Sequence, residues 1–302
     1  MTAKLVRAFA LVVAVAFAVP AAVAQEVVAT PPASRTFALG ALQITVLRDG
    51  SLAVANDGSV FGLNASPDAV AAVLREAGAP TGTIHLDIDA LLIRMPAHLV
   101  LVDTGYGREG HGVLKQSLAA AGVSPADITD IFITHSHPDH VGGLVDPEGR
   151  SAFPRATIHM SAREWEYMQH QHDAQPIAAA VRSQVKTFEP GHSILPGIKP
   201  IALYGHTPGH VAYEITSQGR KLLDIGDTAH SSIVSLAKPD WTIEFDADRA
   251  AGARLRRETL ARLAASHELV FAGHFPFPGV GRVVRAGDGF RFVPEVPNGR
   301  AG

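Results

Sequence analysis

"ITHSHPDHVGG", residues 133–143, sets three histidines and an aspartate into the six positions from His135 to His140. The segment leading into it reads as a strand from Ile128 to Thr134. In an extended chain residues i and i+2 point to the same side, so the imidazoles of His135 and His137 converge. Pro138 then turns the chain and presents Asp139 and His140 to a second position nearby. Imidazole and carboxylate suit zinc and, less selectively, manganese, iron or cobalt.

Two ligands per ion are too few, because catalytic zinc usually takes three protein ligands and a water. Three later segments offer the remainder. In "GHTPGH" (205–210) glycines make a tight turn, and His206 or His210 is the ligand. His210 stands where the next strand begins and is the favoured one, which leaves His206 a supporting or loop role. In "LLDIGDTAH" (222–230) Asp227 follows an apolar strand and a glycine, where its two oxygens suit a bridge between ions. Asp224 alternates onto another face and reads as structural. His230 reads equally as pocket rim or surface loop. In "LVFAGHFPFPG" (269–279) His274 ends a buried strand.

The rest of the composition narrows the chemistry. The chain has 302 residues, 47% hydrophobic and 18% charged, which is ordinary globular material. With 15 histidines and no cysteine, a metal site must be built from His and carboxylates, and disulfides and thiolate nucleophiles are excluded. A net charge of −3 gives no footprint for nucleic acid.

At the N-terminus Lys4 and Arg7 precede an apolar run from Ala8 to Val19, and an A-x-A site ends at Ala24. Residues 1–24 therefore read as a secretory signal. Its apolar run of about 12 residues falls short of the about 20 that span a membrane. The expectation is a secreted or periplasmic protein with no stable span once the signal is removed. Residues 25–34 read as a flexible lead-in broken by Pro31 and Pro32, and 35–302 as one domain.

Within that domain Asp49-Gly50 marks a hairpin inside 41–54, and helices are expected over 66–76, 112–121 and 247–265. Ser161 and Glu164 make a capping box for a helix carrying Trp165. Strands are expected at 84–95, 98–105, 156–160, 198–203, 211–216, 220–225 and 268–272, with a terminal hairpin over 281–293. Small antiparallel groups with helices between them point to an α/β fold with mixed sheets.

Taken in order, "LVDTG" (101–105), "THSHPDHVGG" (134–143), "GHTPGH", "GD" (226–227) and "GHFPFPG" (273–279) resemble the metallo-β-lactamase fold superfamily. The resemblance implies an αββα sandwich with two divalent metal ions, most simply zinc, on one edge. One ion would take His135, His137 and His210, the other Asp139, His140 and His274, with Asp227 and a hydroxide bridging them. Asp103 would orient a ligand histidine.

"LPGIKPIALYGHTPGH", "FPFPGVGRV" and "GDGFRFVP" look similar to the exported branch that includes methyl parathion hydrolase and lactonase-like proteins. The implied activity is hydrolysis of a small-molecule ester: a lactone, an organophosphate or a related ester. Asp139 or Asp227 would shuttle the proton. Trp165, Tyr167, Phe275 and Phe277 are the expected pocket walls. Activity as a homodimer is compatible with this reading.

Rival readings are a β-lactam hydrolase and an iron-dependent oxidoreductase of the same fold. Zero cysteine excludes the cysteine-using β-lactamase subclasses. Diiron members commonly carry glutamate where this chain has His137.

Overall fold

The computed structural model of the protein describes residues 25–107 and 111–296; the signal expected at 1–24 lies outside the described residues. One mixed sheet holds β1 (Gln25–Val28), β2 (Ser34–Leu39), β3 (Leu42–Ala55), β4 (Thr83–Arg94), β5 (Leu99–Val102), β6 (Asp130–Phe132), β7 (Thr157–Ser161) and β8 (Val185–Phe188). Its order is β1-β3-β4-β5-β6-β7-β8, with β2 also paired to β3. The β3-β4-β5 part is antiparallel and the β5-β6-β7-β8 part parallel. A second sheet runs β14-β13-β12-β11-β10-β9, from β9 (Ile198–Ala202), β10 (Val211–Ser217), β11 (Arg220–Asp224), β12 (Leu269–Phe271), β13 (Val280–Ala286) and β14 (Gly289–Pro294). Only β11 and β12 are parallel there.

The helices are α1 (Pro67–Glu76), α2 (Leu114–Ala120), α3 (Pro138–Val141), α4 (Ala162–His170), α5 (Gln175–Val181), α6 (Val234–Ala237) and α7 (Arg249–Ser266). Successive strand residues serve different cores. Leu91, Ile93, Val102 and Phe132 meet Val211, Tyr213, Leu222 and Phe271 between the sheets. Leu92, Leu101, Ile131 and Ile158 turn outward to Leu118, Met168 and Ala178 on α2, α4 and α5. Ala212, Leu223 and Val270 turn outward to Leu260 and Leu263 on α7. Strands buried on both faces read as near-continuous apolar runs, and the result is the α/β sandwich in four layers.

Three expectations differ from the structure. Asp49-Gly50 is not a hairpin turn: β3 runs straight through it, with the register against β4 shifting between Arg48 and Gly50. The extra residue is a bulge, and the Asp49 carboxylate accepts the backbone N–H groups of Tyr106 and Leu114 at 2.7 and 2.8 Å. The lead-in is not wholly irregular, because Gln25–Val28 pairs with the far half of β3. Glu164 does not close a capping box. Ser161 Oγ accepts the Glu164 N–H at 3.1 Å, but the Glu164 carboxylate points away to other loops.

Candidate metal centre

β6 ends at Phe132 and the chain bends at Thr134, after which the rings of His135 and His137 lie together with centroids 4.7 Å apart. His137 is the residue before α3, which puts Asp139 and His140 in that helix's first turn. Gly142 and Gly143 pass so close to the carbonyls of Tyr106 and Thr104 that a Cβ at either would overlap them. The turn between β9 and β10 brings in His206, the turn after β11 brings in Asp227, and the one after β12 brings in His274. All sit on one rim, because β10 runs antiparallel to β11 and starts where β11 ends.

Two groups result. His135, His137, His206 and Asp227 each aim one donor atom into a space where these atoms lie within 4.8 Å of one another, and so do Asp139, His140 and His274. Asp227 joins the groups: Oδ2 is 3.6 Å from His135 Nε2 and 3.4 Å from His206 Nε2, while Oδ1 is 3.2 Å from His140 Nε2. His274 Nε2 stands 3.1 Å from Asp227 Oδ2 and 3.4 Å from Asp139 Oδ2.

His206 Nε2 is 2.9 Å from His137 Nδ1 and 3.1 Å from His135 Nε2. Burial, with His140 next for His135 and His206 next for His137, holds both imidazoles well below their ordinary pKa. Both are thereby biased toward the neutral form, the one that binds metal. His140 Nε2 and Asp227 Oδ1 are buried with no hydrogen-bond partner. Buried polar atoms left bare are costly, and these two aim at the same space. The donor set and the bare atoms fit divalent metal.

Outer contacts fix the rings. Asp103, in the left-handed region at φ 59, accepts from His140 Nδ1 at 2.8 Å and from the Thr134 N–H and hydroxyl at 2.8 and 2.7 Å. His274 Nδ1 donates to the Asp87 carbonyl at 2.8 Å. His206 Nδ1 donates to Asp246 at 3.0 Å, and Asp246 in turn takes 2.8 Å from buried Arg256. Each arrangement leaves the opposite nitrogen facing inward.

His210, the favoured ligand of the "GHTPGH" turn, does not face the centre. Its Nδ1 donates to the Leu203 carbonyl at 3.1 Å and its Nε2 accepts the Asp227 N–H at 3.0 Å. Both nitrogens are spent on backbone because His210 continues the β9–β10 ladder, where the Leu203 N–H donates to its carbonyl. The inward residue is His206 at the loop tip. His230 is neither rim nor surface: it is 1% exposed, stacked on His274 at 5.3 Å, with Nε2 3.1 Å from Asp227 Oδ2. Asp246 and Arg256 escaped the sequence reading, since neither lies near a histidine motif and only the fold brings them together.

A cavity of about 730 Å³ opens beside the centre, lined by Tyr106, Ser136, His137, Val141, Tyr167 and Ile177 among others. Of the four expected walls only Tyr167 lines it. Two residues along α4 the ring of Trp165 faces the opposite way, against the α2–α4–α5 core. Phe275 is fully buried under α7's core, 5.0 Å from Phe292. Phe277 packs on the inter-sheet core beneath the Arg48 guanidinium.

Asp224 is buried below the centre and accepts the Gly226 N–H at 3.0 Å. Burial, then Asp103, push its carboxyl up to about 8. An acid whose pKa rises on folding favours the fold while protonated, and that stability drains away as pH climbs from near 4 to about 8. Asp224→Asn, which can still accept that N–H, should raise the unfolding temperature by several degrees at pH 8 and little at pH 4. Thermal unfolding at both pH values checks it; a gain independent of pH would contradict the buried neutral acid.

The family model of the metallo-beta-lactamase superfamily matches residues 85–274, which hold every donor side chain of the centre. AidC, a dizinc quorum-quenching lactonase solved with its product N-hexanoyl-L-homoserine, is 29% identical over 89% of this chain and 99% of its own, with a TM-score of 0.84. The hydrolase AbOPH is 27% identical over 90% of this chain and all of its own, with a TM-score of 0.82. An N-acyl homoserine lactonase of Bacillus sp is 30% identical over 110 residues, 36% of this chain. Metallo-beta-lactamase domain-containing protein 1 of Xenopus laevis is 35% identical over 117 residues, 39% of this chain. The alignments span 42% of the length of each of these last two relatives. The chain belongs to the metallo-beta-lactamase superfamily.

Proposed function

We propose that the protein is a dinuclear metal-dependent hydrolase of small-molecule esters, with a lactone as the favoured substrate class and an organophosphate ester second. The carrying observation is the sharing of Asp227 between two groups of inward-facing donors. The likeness to AidC over nearly the whole of both chains favours the lactone. Two divalent ions, most simply zinc, would supply a water acidic enough to attack at neutral pH and would polarise the acyl or phosphoryl oxygen.

The chain's own residues do the rest. His135, His137 and His206 would hold one ion, and Asp139, His140 and His274 the other. Asp227, whose carboxylate oxygens lie near both sets of imidazoles, would add a ligand to the centre. Burial, partly offset by Asp227, keeps His230 near 4 and hence neutral, and neither of its nitrogens has a hydrogen-bond partner. It stands beside Asp227 and His274 as a further neutral imidazole at the centre. Asp139, less enclosed than Asp227, is the second carboxylate placed to pass a proton on. Tyr167, Val141 and Ile177 give the cavity apolar wall for the substrate's body. Export to the periplasm or beyond, with activity as a monomer or homodimer, belongs to the same proposal.

The test is metal content together with hydrolysis of a panel of lactone, organophosphate, β-lactam and thioester. About two ions per chain and lactone turnover are expected. His137→Ala should lose metal and hydrolysis together, and a variant keeping both would refute the assignment. Iron with visible absorbance in the purified protein would favour the oxidoreductase instead.

A further inference from the structure

Glu164 is fully buried and takes no part in the centre itself. Its carboxylate accepts four hydrogen bonds. Oε1 takes the Ser136 N–H at 2.7 Å and the Ser136 hydroxyl at 2.6 Å. Oε2 takes the Thr207 hydroxyl at 2.6 Å and the Gly209 N–H at 3.0 Å. Ser136 stands between His135 and His137, and Thr207 follows His206. One carboxylate therefore joins the two loops that carry the three imidazoles of one group.

The approach is tight. A Cβ on Gly209 would overlap the backbone of Glu164, and Ser161 Oγ donates to the Gly209 carbonyl at 2.7 Å. Ser161 already caps α4, so the helix start does not require the Glu164 carboxylate. Its four partners are all donors and fill its acceptor sites, which is what makes a buried carboxylate tolerable.

We propose that Glu164 is a positioning residue that sets the spacing between the His135–His137 arm and the His206 arm, and so fixes the metal affinity of that group. This rests on the reading that His135, His137, His206 and Asp227 hold a divalent ion.

The test uses the full chain and zinc alone, titrated against a competing chelator, with the cobalt-loaded absorption spectrum as a second readout. Glu164→Gln keeps the volume but turns an NH2 group toward the donors of one arm. It should weaken zinc binding about 10- to 100-fold, as loss of an outer contact does at metal sites generally, and shift the cobalt spectrum. Glu166→Gln, exposed on the same helix, should change neither. Should Glu164→Gln fail to fold, Ser136→Ala and Thr207→Val each remove one hydroxyl arm and should weaken zinc binding in the same direction.

Zinc affinity within twofold of wild type in Glu164→Gln, or in both hydroxyl variants where these replace it, overturns the proposal, even if the metal-free protein unfolds at a lower temperature. If His137→Ala has lost zinc in the same assay, only the role of Glu164 falls. A wild-type chain that takes up no zinc overturns the metal reading and this one together.

Discussion

His206→Ala should strip one ion from the centre and lower hydrolysis by at least about 100-fold, the upper end of what even an outer contact is worth at a metal site. His210→Ala, four residues on, should keep both ions when zinc is supplied. The two residues differ in where their nitrogens go. His206 presents Nε2 to His135, His137 and Asp227 and spends only Nδ1 on a carboxylate. His210 spends Nδ1 on the Leu203 carbonyl and Nε2 on the Asp227 N–H. Removing its ring leaves a part-buried carbonyl and a buried N–H unpaired, the latter at a cost of about 1–3 kcal/mol. Its loss should therefore appear as a lower unfolding temperature and a somewhat weaker hold on Asp227, with metal stoichiometry kept. Elemental analysis of zinc per chain beside thermal unfolding separates the outcomes. The opposite pattern, with His210→Ala short of an ion and His206→Ala complete, would restore the sequence-based choice.

That choice marks where sequence reasoning stopped. Strand geometry alone predicts the His135-x-His137 convergence, and both rings do meet in the fold, although β6 ends at Phe132. The buried strands ending at Asp227 and His274 were readable from their apolar runs, because glycine and a polar residue at the end of such a run mark a rim. Within "GHTPGH" the rule of preferring a fixed strand start pointed to His210, whose nitrogens the fold spends on backbone, while His206 turns inward. A strand-start histidine is fixed because its ring and backbone are already engaged, while the loop tip is free to reach inward. His230 was undecidable for a similar reason: three residues past Asp227, its direction depends on the short helical turn over Gly226–Thr228, which no periodicity announces. The bulge at Asp49 was hidden because Asp-Gly also starts hairpins, and only the twelve-residue partner strand Thr83–Arg94 settles that β3 continues. Three of the four expected aromatic walls do not line the cavity, because Trp165 on α4 and Phe275 and Phe277 after β12 have cores to enter on either side of the sheets.

Arg256→Ala should destabilise the fold by about 3–5 kcal/mol, the range seen when one partner of a buried ion pair is removed. Arg256 lies on α7 with 1% of its surface exposed. Its guanidinium bonds Asp246 at 2.8 Å and the carbonyls of Thr228, Pro239 and Trp241 at 3.0, 3.2 and 2.8 Å. Burial alone would raise the Asp246 carboxyl, but His206 and Arg256 outweigh it and hold the group below its ordinary value. Without the guanidinium the carboxylate keeps only His206, and three carbonyls lose their donor. Two effects are then mixed, lost stability and a loosened His206, and a second variant separates them. Asp246→Asn with Arg256→Met removes both buried charges and refills the volume, so it should regain part of the stability lost in Arg256→Ala. It should not regain zinc affinity, because an amide holds the His206 N–H less strongly than a carboxylate does. Unfolding in denaturant gives the first quantity and chelator competition the second. Zinc affinity that tracked stability through both variants would mean that Arg256 only supports the fold. Affinity that stays low while stability returns means that the pair orients His206 from a helix on the far face of the sheet.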